Sequence, residues 1–229
     1  MRGAVVSVVG NIASGKSTTA RRVAERLGFL HVNSGLFYRA ITSAALREEL
    51  IGDESRLRRW VPELEIEPAV GEGYVDVRVE GEAAGAELQG REVSAHVSTV
   101  SAYGFVRDRV LTLLREAGEL ADVVCDGRDI GSVVFPDASL KIFLVADVRE
   151  RARRRLLDYR ADPSDEAISA EADRLGARDR ADSTRERAPL IRAPDAVEID
   201  TTNLTPDAVV GHILDLAAKR GLGALGTVD

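Results

Sequence analysis

The chain has 229 residues, 45% apolar and 30% charged, a mixture expected of one globular domain with an insertion or of two small ones. Its 31 Lys and Arg against 38 Asp and Glu give a net charge of −7, which argues against a general basic field for nucleic acid. The lone Cys125 excludes an internal disulfide framework and a cysteine-based zinc site, no apolar run nears the roughly 18 residues of a membrane span, and Ala4 to Val9 is too short for a signal-peptide core, so a reducing cytoplasm is expected.

In chain order, Ala4 to Gly10 is a β-branched run ending in glycine and predicts a buried strand. Ser17 to Leu27 carries Ala20, Val23, Ala24 and Leu27 at helical spacing, and Gly28 supplies the stop. Phe29 to Val32 predicts a second strand, and 36–50 a second helix. Strand, helix and strand in that order point to a βαβ unit and a parallel sheet. Between about Val61 and Gly90 the pattern shortens to alternating strands broken by glycines at 71, 73, 81 and 85, a small antiparallel β insertion. A long helical pattern runs from Glu92 to Ala117 with a break near Gly104. Val123 to Asp126 and Leu140 to Val145 are two further buried strands. An arginine-rich helix follows from Val148 to about Tyr159, then a turn at 161–165 and a helix from Glu166 to Asp182. Ala196 to Asp200 reads as the last strand and Thr205 to Arg220 as a capped amphipathic helix. Residues 221–229 read as a frayed tail.

Three segments carry chemistry. Gly10-Asn11-Ile12-Ala13-Ser14-Gly15-Lys16-Ser17 matches G-x-x-x-x-G-K-[ST], and it lies between a strand and a helix as that motif requires. Its glycines free backbone N–H groups to surround phosphate oxygens, and the helix N-terminus adds positive charge. Lys16 then reaches the β- and γ-phosphates, and the Ser17 hydroxyl is a ligand for Mg²⁺. This is a nucleoside-triphosphate site. An N-K-x-D guanine-reading segment is absent, which weakens a GTPase reading.

The second segment, Asn33-Ser34-Gly35-Leu36-Phe37-Tyr38-Arg39, follows the second strand, where the crevice beside such a loop opens. It is either an acceptor site or a capped helix with Tyr38 and Arg39 on its surface. The third, Val123 to Asp129, is a hydrophobic strand ending in an acid that can hold Mg²⁺ through water, followed by Gly127-Arg128-Asp129. Charges at that sheet edge are costly unless paired or used, so Arg128 and Asp129 are either site residues or a plain ion pair. Arginine supplies 28 of the 31 basic residues, so no single one is functional by its presence alone. In the arginine-rich helix, spacing puts Arg151, Arg154 and Arg155 roughly on one face. They either close over a transferring phosphoryl group or pair with Glu150 and Asp158 in solvent. Cys125 reads as an inert core residue, Trp60 as packing, and His31, His96 and His212 as scattered.

Together, Gly10 to Thr18, Ser34-Gly35 with Tyr38-Arg39, Asp126-Gly-Arg-Asp-Ile-Gly-Ser-Val-Val-Phe-Pro-Asp-Ala138, and Arg178-Asp179…Asp182-Ser183…Arg185 with Pro189-Leu190 resemble bacterial cytidylate kinase. The resemblance spans nearly the whole chain and implies an α/β P-loop NTPase fold of the adenylate-kinase kind: a parallel sheet flanked by helices, with a small antiparallel insertion and a short helical lid. It implies ATP as phosphoryl donor, Mg²⁺, and CMP or dCMP as acceptor, in a monomer that binds neither nucleic acid nor membrane. It divides the chain into a core (1–33, 92–150, 183–220), a monophosphate-binding region (34–91) and a lid (151–182). By the same resemblance, Ser34, Ser98, Arg107, Asp129 and Arg185 surround cytosine and ribose. Arg178 and Asp182 lie near sugar and phosphates, and Tyr38, Arg39, Gly127 and Arg128 hold the acceptor phosphate. Lys16, Arg128, Arg154 and Arg178 are the expected catalytic cations, with Ser17 and Asp126 on the metal. The chain departs from the family pattern at Asn33, where Asp is usual, at Asn11-Ile12-Ala13, where Pro-Ser-Gly is common, and at Gly104, where proline is frequent. Two rivals share Lys16 and Ser17: a P-loop kinase for another small acceptor such as UMP or shikimate, and a nucleotide-binding regulator without turnover.

Overall fold

The structure is a computed structural model that describes residues 3–185 and 187–223. Of the expected tail, residues 224–229 lie outside the described residues. In chain order the elements are β1 (Val5–Gly10), α1 (Lys16–Leu27), β2 (Leu30–Asn33), α2 (Ser34–Arg47), α3 (Glu54–Trp60), β3 (Ile66–Val70), β4 (Tyr74–Val79), β5 (Glu82–Ala83), α4 (Arg91–Val100) and α5 (Gly104–Leu120). They continue with β6 (Val123–Gly127), β7 (Leu140–Val145), α6 (Val148–Asp158), α7 (Asp165–Ser183), β8 (Val197–Asp200) and α8 (Pro206–Ala218). A single π-helical turn, Ile130–Val134, follows β6.

The strand order is β3-β4-β2-β6-β1-β7-β8, with β5 on β4. From β4 to β8 every neighbouring pair is parallel, and only the β3–β4–β5 meander is antiparallel. The insertion is antiparallel within itself, as its glycine-punctuated pattern predicts. It does not form a separate sheet, however, because β4 pairs with β2 at His31↔Tyr74 and Val32↔Val75 and so extends the central sheet.

Alternation along β1 sends Val5 and Val9 to one face and Val6 and Val8 to the other. The first face packs under α2 and α5 through Phe37, Ile41, Val110 and Leu114. The second packs on α1 and α8 through Ala20, Val23, Val210 and Ile213. Both faces of the strand are therefore dry, which is why its sequence is continuously apolar rather than alternating. Cys125 belongs to this core, and burial pushes its thiol well above the ordinary range. Trp60 packs against the same cluster. The helix α3 carries little sequence signal, being seven residues long with four charges, and is held by the Asp53 cap on Arg56 N and the buried Leu57. The long helical pattern after residue 90 does break before Gly104. Among the described residues no helix is long and apolar enough to cross a membrane.

Parallel pairing aligns the carboxyl ends of four strands, β2, β6, β1 and β7. Asn33 pairs with Asp126, Val9 with Gly127, and Gly10 with Leu144. Chemistry-bearing residues from distant parts of the chain therefore meet at one edge, as open α/β sheets do. At that edge Gly10 has no room for a side chain. A Cβ there stands 2.6 Å from the Leu144 carbonyl oxygen and 2.7 Å from Ser14 Oγ. Gly10→Ala is expected to cost about 1–3 kcal/mol through overpacking. Denaturant midpoints measure that cost, and a midpoint equal to the parent's would contradict the close approach.

Candidate active site

The loop between β1 and α1 turns sharply at Ala13 (φ 58°) and Gly15 (φ 81°). Ala13 holds a left-handed conformation that a residue with a Cβ rarely takes, so the loop's shape is imposed against local preference. Residues Gly15, Lys16, Ser17 and Thr18 open α1, and their backbone donors head the helix. Asn11 accepts from Ser14 N at 3.3 Å and from Lys16 Nζ at 3.2 Å, which folds the lysine back over its own loop.

Two cavities flank this loop. The larger, of about 830 Å³, is lined by 13–19 on one side and by Glu150, Arg153, Arg154, Asp158 and 201–206 on the other. The smaller, of about 240 Å³, is lined by the second and third sequence segments. Lys16 and Ser17 lie on the wall of both. Every expected acceptor residue lines the smaller one: Ser34, Tyr38, Arg39, Ser98, Arg107, Gly127, Arg128, Asp129, Arg178, Asp182 and Arg185.

Within the smaller cavity, charges are paired across elements rather than along the chain. Arg128 donates from Nε to Asp182 Oδ2 at 2.8 Å, while Asp129 accepts from Arg107. Adjacent Arg128 and Asp129 thus do not pair with each other, and each is oriented by a partner on another helix. Arg185 sits 3.5 Å from Asp182 Oδ1 and donates to the Ala188 carbonyl. Among the described residues, the Nε groups of Arg107 and Arg185 are buried without a protein acceptor. Tyr38 stacks under the Arg107 guanidinium at 5.5 Å, and burial, with Asp129 next, pushes its hydroxyl pKa up. Arg39 reaches Leu88 O at 2.7 Å and Ser94 Oγ at 3.0 Å, tying α2 to α4 and to the segment before it. The helix of Tyr38 and Arg39 is capped by Asn33, whose Oδ1 accepts from Gly35 N, yet both side chains turn into the cavity rather than to solvent.

Lys16, Arg128 and Arg178 share one region and oppose one another electrostatically. Burial first, and then Arg128, lowers the Lys16 pKa to about 7, against the pull of Asp126 and Asp182. Arg178 is lowered too, by burial and then by Arg128. Ser17 Oγ donates to Asp126 Oδ2 at 2.6 Å, so a hydroxyl and a carboxylate, both ligand types that a hard divalent cation takes, converge.

One contact is illegible in the sequence. His31 Nε2 donates to Asp126 Oδ1 at 2.8 Å, both groups being buried. The β2–β6 register makes this contact, and a lone histidine 95 residues away offers no signal for it. Arg154 is the expected residue that stands apart. It lines the larger cavity and binds Glu150, Thr201 Oγ1 and the carbonyls of Thr201 and Thr202. Of the other arginines on α6, Arg149 meets Asp165, Arg153 meets Glu150, Arg155 meets Glu171, and Arg151 meets Asp179.

The sequence model of the family described as cytidylate kinase matches residues 6–219. A cytidylate kinase of Chlorobaculum tepidum is 41% identical over 221 residues, covering 94% of this chain and 93% of its own. One of Lactobacillus johnsonii is 38% identical over 216 residues, covering 94% of both chains. Among solved structures, an uncharacterized protein from Eubacterium ventriosum superposes with a TM-score of 0.51 at 11% identity, over 94% of this chain and 98% of that one, a likeness of fold.

The depressed Lys16 pKa has a measurable consequence. With a pKa of about 7 in the free protein, Lys16 is largely neutral at pH 8, and an adjacent polyphosphate restores its charge. Nucleotide binding at pH 8 is therefore expected to take up a proton, and affinity to fall as pH rises from 7 to 9. Calorimetry in two buffers of different ionisation enthalpy detects the uptake. A binding enthalpy independent of buffer would exclude it.

Proposed function

The chain belongs to the cytidylate kinase family, and on that premise we propose that it transfers the γ-phosphoryl group of ATP to CMP, and to dCMP, by in-line displacement. One observation carries the reading: the two cavities meet at Lys16 and Ser17. A donor in the larger cavity and an acceptor in the smaller then share one phosphate-binding wall. The acceptor oxygen belongs to a phosphate already anionic at neutral pH, so no general base is needed. It attacks phosphorus as the bond to the β-phosphate oxygen breaks, and ADP leaves.

The chain's own residues supply position and charge. Backbone N–H groups of 10–18 hold the donor phosphates, with Lys16 on the β- and γ-groups. Arg39 and Arg128 hold the acceptor phosphate, with Tyr38 and Gly127 beside it. Arg178 faces the oxygens where charge develops, while Asp182 fixes Arg128 and lies by the sugar. In the lid, Arg154 buttresses the larger cavity through the carbonyls of Thr201 and Thr202. Ser17 and Asp126 are the residues that would hold Mg²⁺, which when bound neutralises phosphate charge. The proposal keeps 34–91 and 151–182 as segments that close on the core. It places the enzyme in the cytoplasm with its substrates, as a monomer, since one chain provides every residue the reaction uses.

The base is read by Arg107, Asp129 and Arg185, with Ser34 and Ser98 beside base and ribose. Cytosine offers acceptors at O2 and N3 and a donor at N4, which suits unpartnered arginine N–H groups together with a carboxylate. Uracil offers O4 where the carboxylate needs a donor. The mismatch costs about 1–3 kcal/mol, about ten- to a hundredfold in kcat/KM.

Coupled ADP release measured with CMP, dCMP, UMP and AMP tests the activity. Turnover with CMP is expected, together with a loss of several orders of magnitude in Lys16→Ala; equal rates with AMP would overturn the acceptor assignment. In the same assay Asp129→Ala is expected to lose far more rate on CMP than on UMP. Full retention of the preference would remove Asp129 as the reader.

A further inference from the structure

The crest of the phosphate loop is fastened to the lid in two ways. The Ile12 side chain packs against the small cluster formed by Ala152, Ala172 and Leu175 with Val148 and Ile168. The Ile12 carbonyl accepts from Arg151 Nη1 at 3.2 Å. Arg151 is 6% exposed and spends its other donors on Ala146 O at 3.0 Å and Asp179 Oδ2 at 2.7 Å. Asp179 lies on α7 beside Arg178 and one turn before Asp182, the residue that orients Arg128. The helices α6 and α7 are further joined by the largely buried pair Arg155–Glu171 at 2.9 Å.

We infer that Ile12 and Arg151 are positioning residues that make occupancy of the donor site raise affinity at the acceptor site. The loop crest is strained at Ala13, and phosphate in its cradle selects one crest conformation. That conformation fixes Ile12, Ile12 fixes the lid cluster, and Arg151 carries the same constraint to Asp179. Arg178 and Asp182 on α7 then stand ready for the acceptor. Linkage makes the effect reciprocal, so bound acceptor tightens donor binding by the same factor. The inference rests on the kinase reading and adds to it the path by which the two sites communicate.

The test is the CMP dissociation constant with and without a saturating non-hydrolysable ATP analogue and Mg²⁺, in the full chain and in I12V, I12S and R151M. The parent and I12V are expected to bind CMP at least about fivefold tighter with the analogue present. In I12S and R151M that ratio is expected to fall to about one. Melting curves report whether R151M is folded, and I12S, altered on a half-buried loop, decides the matter if R151M is not. A parent ratio of one, or an I12S ratio equal to the parent's, overturns the inference and leaves the kinase reading standing. A parent that binds neither nucleotide overturns both.

Discussion

Lys16, Arg128 and Arg178 are held close together on the wall of one cavity, Lys16 and Arg128 half-buried and Arg178 exposed. Holding like charges there opposes folding, and the sheet and its flanking helices supply the compensation. Asp126 and Asp182 face the cluster, and their attraction partly offsets the mutual repulsion. The remainder is left for ligand phosphate, because a cation that is incompletely neutralised in the free protein gains most from an incoming anion. In the proposed reaction the fold itself keeps these charges close, so their mutual arrangement is not left to the reacting step.

Each acid in the smaller cavity fixes the geometry of a cation rather than cancelling its charge. Asp182 takes the Nε edge of Arg128, and among the described residues the terminal nitrogens make no hydrogen bond to protein. Asp129 takes one terminal nitrogen of Arg107 and leaves its Nε bare. Asp126 is shared between Ser17 and His31, which sets the carboxylate plane at the end of β6. With Asn33 rather than an acid as its register partner, Asp126 meets no second carboxylate across the β2–β6 pair. The chain also supplies a neutral side chain there that caps α2 instead.

Much of this was legible in the sequence for reasons of periodicity. Strands dry on both faces read as unbroken β-branched runs, and the G-x-x-x-x-G-K-[ST] spacing has one structural context, which β1 and α1 provide. The four core strands Val5–Gly10, Leu30–Asn33, Val123–Gly127 and Leu140–Val145 fall within a residue of the pattern. What the pattern lacks is the identity of partners. Alternation marks short strands between Val61 and Gly90, yet nothing in it says that β4 among them pairs with β2. Spacing put Arg151, Arg154 and Arg155 on one face, yet only the fold sends Arg151 to Asp179, Arg154 to Thr201 and Arg155 to Glu171. His31 and α3 left no trace, one because its partner is distant and the other because seven residues hold too little of a 3.6 period.

The lid illustrates how a composition that looks solvated becomes mechanical. Seven of the eleven residues of α6 are charged, five of them arginine, and an isolated helix of that kind gains little from each exposed pair. Here the arginines divide by direction. Those facing outward, Arg149 and Arg153, make exposed pairs that screening weakens. Arg151, facing inward, is buried and spends its donors on backbone carbonyls and an acid of α7. Removing such a group strands its partners without water, a far larger penalty than loss of a surface pair. The same helix thus has a tolerant outer face and an inner face whose side chains tie the phosphate loop to the lid.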